Sequence, residues 1–206
     1  MKNPHLAVSY IDKFSGERFV RFSSDVEAPN LSLLVESRPV PGPFAALEWL
    51  IPTAVVVYIA KSYFESFLKE MGKDHYVLLK GALKNLGIGF LGKNAPQIRL
   101  ISTPAGKVLE SKNNYSLVFS IVAEIETRLR VKVLLQSDLA EATYAEALEK
   151  FLQFLEHLHD GTLSSSEVKG LDEARPTAGY LLVAFNPQEK ILEVIDPVPR
   201  KSHPKI

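Results

Sequence analysis

The chain has 206 residues, 46% of them hydrophobic and 23% charged, with a mean hydropathy of +0.03; this excludes a wholly disordered chain and a polytopic membrane protein. Lys and Arg total 24, Asp and Glu total 24, so no global field draws nucleic acid or anionic lipid. No cysteine is present, which removes disulfides, thiolate zinc sites and cysteine nucleophiles and fits a reducing, cytoplasmic setting.

The N-terminal stretch lacks the apolar core of a secretory signal. Residues 6–11 (LAVSYI) and 17–23 (ERFVRFS) are rich in β-branched and aromatic side chains around DKFSG, a pattern that predicts a hairpin. Alternation in the second run is imperfect, so its buried face stays open. Residues 31–36 (LSLLVE) read as a third strand, ended by the prolines from Pro39 to Pro43.

From Trp49 to Ala60 no residue is charged, and Val55, Val56 and Val57 are consecutive. Such a run belongs in a core or a bilayer. Beyond it, Tyr63, Phe64, Phe67, Leu68 and Met71 recur at steps of three and four, with Lys61, Glu65 and Lys69 as a charged row. This predicts a short helix over 44–51, a break at Pro52 and a long helix over 53–71. Gly72 closes it, Asp74 caps a second helix over 75–86, and an apolar helical hairpin spans 53–86. A membrane span needs about 20 apolar residues, and Glu48 and Pro52 interrupt this run, so a core helix is the favoured reading over an interfacial segment at 44–60.

Strands follow over 97–102, 107–111, 115–126 and 129–136. In the third, Leu117, Phe119, Ile121, Ala123 and Ile125 form the buried face and Val118, Ser120, Val122, Glu124 and Glu126 the wet one. Ser137 and Asp138 cap an amphipathic helix over 139–159, whose stripe is Tyr144, Leu148, Phe151, Leu152, Leu155 and Leu158 and whose end is Gly161. A long loop leads to a closing hairpin, 179–185 and 190–196, and residues 197–206 form a flexible tail. Strands grouped in blocks predict an α+β fold, a mainly antiparallel sheet of six to eight strands covered by helices on one face. One domain over 1–206 is the main expectation, with division into 1–95 and 96–200 as the alternative.

The most suggestive string is Gly87, Ile88, Gly89, Phe90, Leu91, Gly92, Lys93, Asn94. It satisfies a dinucleotide fingerprint and, except for Asn94, a phosphate-binding loop. Both motifs need a strand before the glycines and a helix after them; here the order is inverted, so Gly87, Gly89, Gly92 and Lys93 also read as a helix end and turn. Glu48, inside the apolar run, is a second candidate, as an acid or base with a raised pKa. His157, His159 and Asp160 diverge on a helix, and Asp74 beside His75 lacks an evident nucleophile among Ser62, Ser66 and Tyr76. Lysines 69, 73, 80, 84 and 93 are interleaved with acids and read as a solvated side. No catalytic residue, metal ligand or cofactor is assigned. The expected function is a non-enzymatic interaction or regulatory protein with a protein partner or a second copy of itself. The alternatives are a nucleotide- or ligand-binding domain or enzyme using 87–94 and a peripheral membrane protein using 44–60.

Overall fold

The computed structural model describes residues 3–40, 53–93, 95–96, 98, 101–102, 107–108 and 115–197. Eight strands form one mixed sheet in the order β2-β1-β3-β6-β7-β9-β10-β8. They are β1 (Leu6–Ile11), β2 (Leu33–Arg38), β3 (Val55–Ile59), β6 (Phe119–Glu126), β7 (Leu129–Leu134), β8 (Val168–Lys169), β9 (Tyr180–Asn186) and β10 (Ile191–Val194). The pairs β1–β2, β3–β6, β7–β9 and β8–β10 are parallel, and β1–β3, β6–β7 and β9–β10 are antiparallel. A separate antiparallel pair joins β4 (Ile101–Ser102) to β5 (Lys107–Val108). The helices are α1 (Glu17–Asp25), α2 (Leu68–Met71), α3 (Lys73–Ile88) and α4 (Glu141–Asp160), with a π-helical turn at Tyr63–Phe67 leading into α2. The α+β class expected from the sequence is the one observed.

Side chains explain the core row. Val8, Val57, Ile121, Val133 and Val183 are neighbours in register across five strands, and all are buried. Complete burial of a valine stabilises by roughly 1.5–3 kcal/mol. The helices pack on this face. Phe19 of α1 stacks on Tyr10 at 3.8 Å, and Tyr144 of α4 meets Phe119 edge-on at 6.4 Å. With both helices on one face, β1-α1-β2 and β7-α4-β9 step outward in opposite directions from strands that run the same way. The two crossovers therefore have opposite hands, and one is the rare left-handed kind.

Two expectations are corrected. Residues 17–23 form a helix: Phe19, Phe22 and Val26 are buried at helical spacing, while Val20 is 67% exposed. The apolar run at 53–60 contains a strand, not the start of a helix. Its five residues Val55–Ile59 sit mid-sheet between β1 and β6, where β-branched side chains are favoured; Val55, Val57 and Ile59 are buried and Val56 and Tyr58 half-buried. The helical hairpin thus begins after Ala60. Asp74 lies in the first turn of α3 instead of capping it, and Gly72, at φ 79°, joins the two helices. Helix α4 starts at Glu141 after Ala140, and Gly161 ends it at φ 70°.

The second sheet face is also corrected. Ser120 and Val122 are buried there, together with Lys132, Leu134, Leu182 and Ala184, while Val118, just before β6, is buried in the main core. Only Glu124 and Glu126 of the expected wet set reach solvent. Strands from both sides of residue 95 share the sheet, since β3 pairs with β6. Among the described residues no helix is long and apolar enough to cross a membrane.

Candidate functional site

At the end of the sheet where β3 and β6 finish, a wide cleft of about 920 Å³ opens. The strand ends explain why polar groups gather here. The chain leaves β3 through Tyr58, Ile59 and Ala60 and turns into the helical segment at Lys61; β6 ends beyond Glu124, and Arg130, the second residue of β7, lies directly opposite Glu124 in register. The cleft is lined by Tyr58, Lys61, Glu65, Glu124 and Arg130, with His5 at the N-terminal side.

Most of these charges are occupied. Glu124 accepts the backbone N–H of Lys61 at 3.3 Å, so a carboxylate sits at the positive end of the helical segment that begins there. Its side chain is also hydrogen-bonded to the Tyr58 phenol. Lys61 pairs with Glu65 at 3.2 Å, one turn along. His5 accepts the Ser32 N–H on Nδ1 at 3.1 Å. Burial first, and the Glu124 carboxylate second, push the Tyr58 pKa up, while the nearby Arg130 charge opposes them. The Arg130 guanidinium lies 5.8 Å from the centre of the Tyr58 ring and 5.9 Å from that of Tyr180, and donates to the Tyr180 hydroxyl at 3.3 Å. That hydrogen bond is the main cause raising its already high pKa. Cation–π contacts of this kind hold a guanidinium flat.

The cleft offers hydrogen-bonding and charged groups, in which the Tyr58 phenol and the Lys61 amine are each engaged by a carboxylate, Glu124 and Glu65. No group of three metal-capable side chains occurs among the described residues. His157 and His159 diverge as helical spacing requires. His157 Nδ1 meets Glu167 at 2.6 Å, whereas His159 stacks on Phe64 at 5.1 Å. His75 is buried against Tyr63, apart from Ser62 and Ser66.

The glycine string has structural roles. Gly87 lies inside α3, where a Cβ would come 2.2 Å from the Tyr144 hydroxyl; at Gly89 it would meet Arg18, which lies over Phe90. Gly92 takes φ 87° in the following turn. A phosphate cradle needs free N–H groups, yet those of Gly89, Phe90, Gly92 and Ala95 donate to Leu86, Gly87, Ser137 and Gly92. Lys93 is exposed beside the start of α4, near Asp138 and Glu141. Glu48 and Asn94 lie outside the described residues, as does 44–52 of the membrane candidate. Three of the five lysines of the row pair with α4 and its end: Lys80 meets Glu149 at 3.1 Å, Lys84 meets Glu141 at 3.2 Å and Lys69 meets Asp160 at 4.0 Å.

The residues missed from sequence are Tyr58, Glu124, Arg130 and Tyr180. One signal was present: the alternation of β6 puts Glu124 on its polar side, and Arg130 near the start of β7 shares that face. Comparison with known proteins finds no matching family model, and no curated protein or solved structure matches the chain significantly.

Proposed function

We propose that this is a non-enzymatic interaction protein working in a reducing, cytoplasmic setting, and that the cleft around Tyr58 and Arg130 is where a protein partner docks. The observation that carries this reading is Arg130 lying against the Tyr58 and Tyr180 rings at a cleft where Lys61 is paired with Glu65 and Glu124 is held by the Lys61 N–H and the Tyr58 phenol. Arginine and tyrosine are the side chains that most often anchor protein interfaces. An open volume of about 920 Å³ suits a polypeptide segment. The balanced charge of the chain and the ion pairs of Lys69, Lys80 and Lys84 speak against nucleic acid.

The test is capture of the tagged full chain from its own cells, with quantitative mass spectrometry of wild type, Arg130→Glu, Tyr58→Ala and the distant control Val77→Ala. A stoichiometric partner retained by wild type and control and lost from both cleft variants supports the reading. A wild-type chain recovered alone and monomeric, or a partner indifferent to both cleft changes, overturns it.

A further inference from the structure

We infer that Arg130 anchors a single carboxylate of the partner polypeptide, an inference that rests on the interaction reading above. Three facts about the cleft lead there. Arg130 is exposed, and no carboxylate among the described residues forms an ion pair with it; its recorded partners are two tyrosines. Glu124, the acid opposite it in register, is occupied by the Lys61 N–H and the Tyr58 phenol. Lys61, the nearest other cation of the lining, is held by Glu65.

A guanidinium carries five N–H donors in a rigid fork. The contacts to the Tyr180 and Tyr58 hydroxyls leave the remaining donors for a ligand. Contacts with the two rings and their hydroxyls restrict that fork before binding, so less side-chain freedom is lost when a carboxylate meets it. Charge decides between a carboxylate and a phosphate. Lys61 and Arg130 balance Glu65 and Glu124 within the lining, so a monoanion leaves one uncompensated negative charge. A phosphate dianion leaves about two and is repelled more strongly by the same acids. A lysine would supply the charge without the two-point geometry.

The test follows the arginine side-chain Nε–H resonances of the full chain, with Arg130 assigned by its loss in Arg130→Lys. The probes are a blocked peptide containing two glutamates, its glutamine twin, and inorganic phosphate. The expected result is a saturable shift of the Arg130 resonance with the glutamate peptide, and binding about tenfold weaker or more for the twin, for phosphate and for Arg130→Lys. Thermal midpoints of wild type and Arg130→Lys, expected to agree, separate lost binding from lost folding; Tyr180→Phe, which keeps the ring and removes the hydroxyl, is expected to bind within a few-fold of wild type. Equal shifts with the glutamine twin, or tighter binding of phosphate, overturn the inference. No shift with any probe, while partner capture still depends on Arg130, removes the carboxylate assignment and leaves the interaction reading standing. A wild-type chain that captures no partner removes both.

Discussion

The Tyr63 hydroxyl and the His75 ring are hydrogen-bonded at 2.9 Å in the interior, where both residues are buried. The other ring nitrogen, Nε2, lies 2.9 Å from the Val26 carbonyl, which can only accept. Nε2 therefore carries the proton, and Nδ1 accepts from Tyr63. One imidazole thus ties the π-helical turn, α3 and the end of α1 together. Burial pushes the Tyr63 pKa above its usual range, which keeps the phenol a donor.

Tyr63→Phe leaves Nδ1 without its donor in a site closed to water. The expected cost is about 1–3 kcal/mol, since a buried unsatisfied acceptor loses its full solvation. Urea unfolding of the two proteins measures it. Equal midpoints would mean that water reaches the ring and that the pair is not a structural tie.

Gly87 and Gly89 are two residues apart, and alanine is expected to act differently at each. At Gly87 the new Cβ meets three atoms of Tyr144, with Cζ at 2.4 Å and Cε1 at 2.7 Å. That ring is wholly buried, and its hydroxyl donates to the Leu83 carbonyl at 2.7 Å, so it cannot step aside. Gly87→Ala should cost about 1–3 kcal/mol, as over-packing does. At Gly89 the nearest atoms belong to the far end of the exposed Arg18 side chain, and φ is −71°. Arg18 can swing away, and alanine reduces the freedom of the unfolded chain. Thermal unfolding should therefore rank Gly89→Ala close to or above wild type and Gly87→Ala well below it. The reverse order would contradict the packing described.

These glycines also show how far the sequence could be read. Helix α4 was legible because Tyr144, Leu148, Phe151, Leu152 and Leu155 repeat one spacing over many turns. The strands β6 and β7 were legible from alternation. Residues 17–23 were not, because Phe and Val favour strands while the spacing of Phe19, Phe22 and Val26 is helical, and the packing on Tyr10 and Phe90 decided. The apolar run at 53–60 was misread because a short run of this kind fits either element, and the three consecutive valines were the cue that it is a strand. The cleft was least legible. Tyr58, Glu124, Arg130 and Tyr180 are brought together by strand register, which leaves little pattern along the chain beyond the polar position of Glu124 in β6. The glycine motif, by contrast, was visible as a string and is explained by neighbours far away in sequence.

Lys132 makes stability depend on pH in an unusual direction. It is 5% exposed, and burial pushes its pKa down to about 8. The unfolded chain holds that proton to about 10.4. Between these values the unfolded state binds more protons, so stability rises with pH and is lost as pH falls through about 8. From pH 8 to about 9.5 the gain should be roughly 1.5 kcal/mol. Above about pH 10 the buried Tyr63 and Tyr144 and the half-buried Tyr76, whose pKa values are raised, act in the opposite sense, because the folded state then holds the extra protons. Denaturation midpoints across pH 8–9.5 should climb for wild type and stay flat for Lys132→Met. A flat wild-type profile would show that Lys132 titrates normally.

Tyr58 offers a test of the cleft that needs no partner. Burial is the largest cause raising its pKa, the Glu124 carboxylate is the next, and Arg130 pulls the other way. Glu124→Gln removes the neighbouring charge while keeping an acceptor for the Lys61 N–H, so the phenol should ionise at lower pH, though still above about 10 because burial remains. Arg130→Gln removes the opposing cation and should move the same phenol further up. Ultraviolet titration, with Tyr58→Phe identifying the signal, reads both shifts. Their opposite signs matter more than their size, since a general loosening of the fold would lower the pKa in both variants. Stability follows the same linkage: a raised phenol pKa stabilises below about pH 10 and that contribution is lost as pH rises through the folded value. Glu124→Ala should in addition weaken the start of the helical segment at Lys61 by about 0.5–1 kcal/mol through the lost N-terminal acceptor and charge. A Tyr58 titration that ignores both substitutions would mean the three side chains do not share one site, and the docking surface would then have to be sought elsewhere on the molecule.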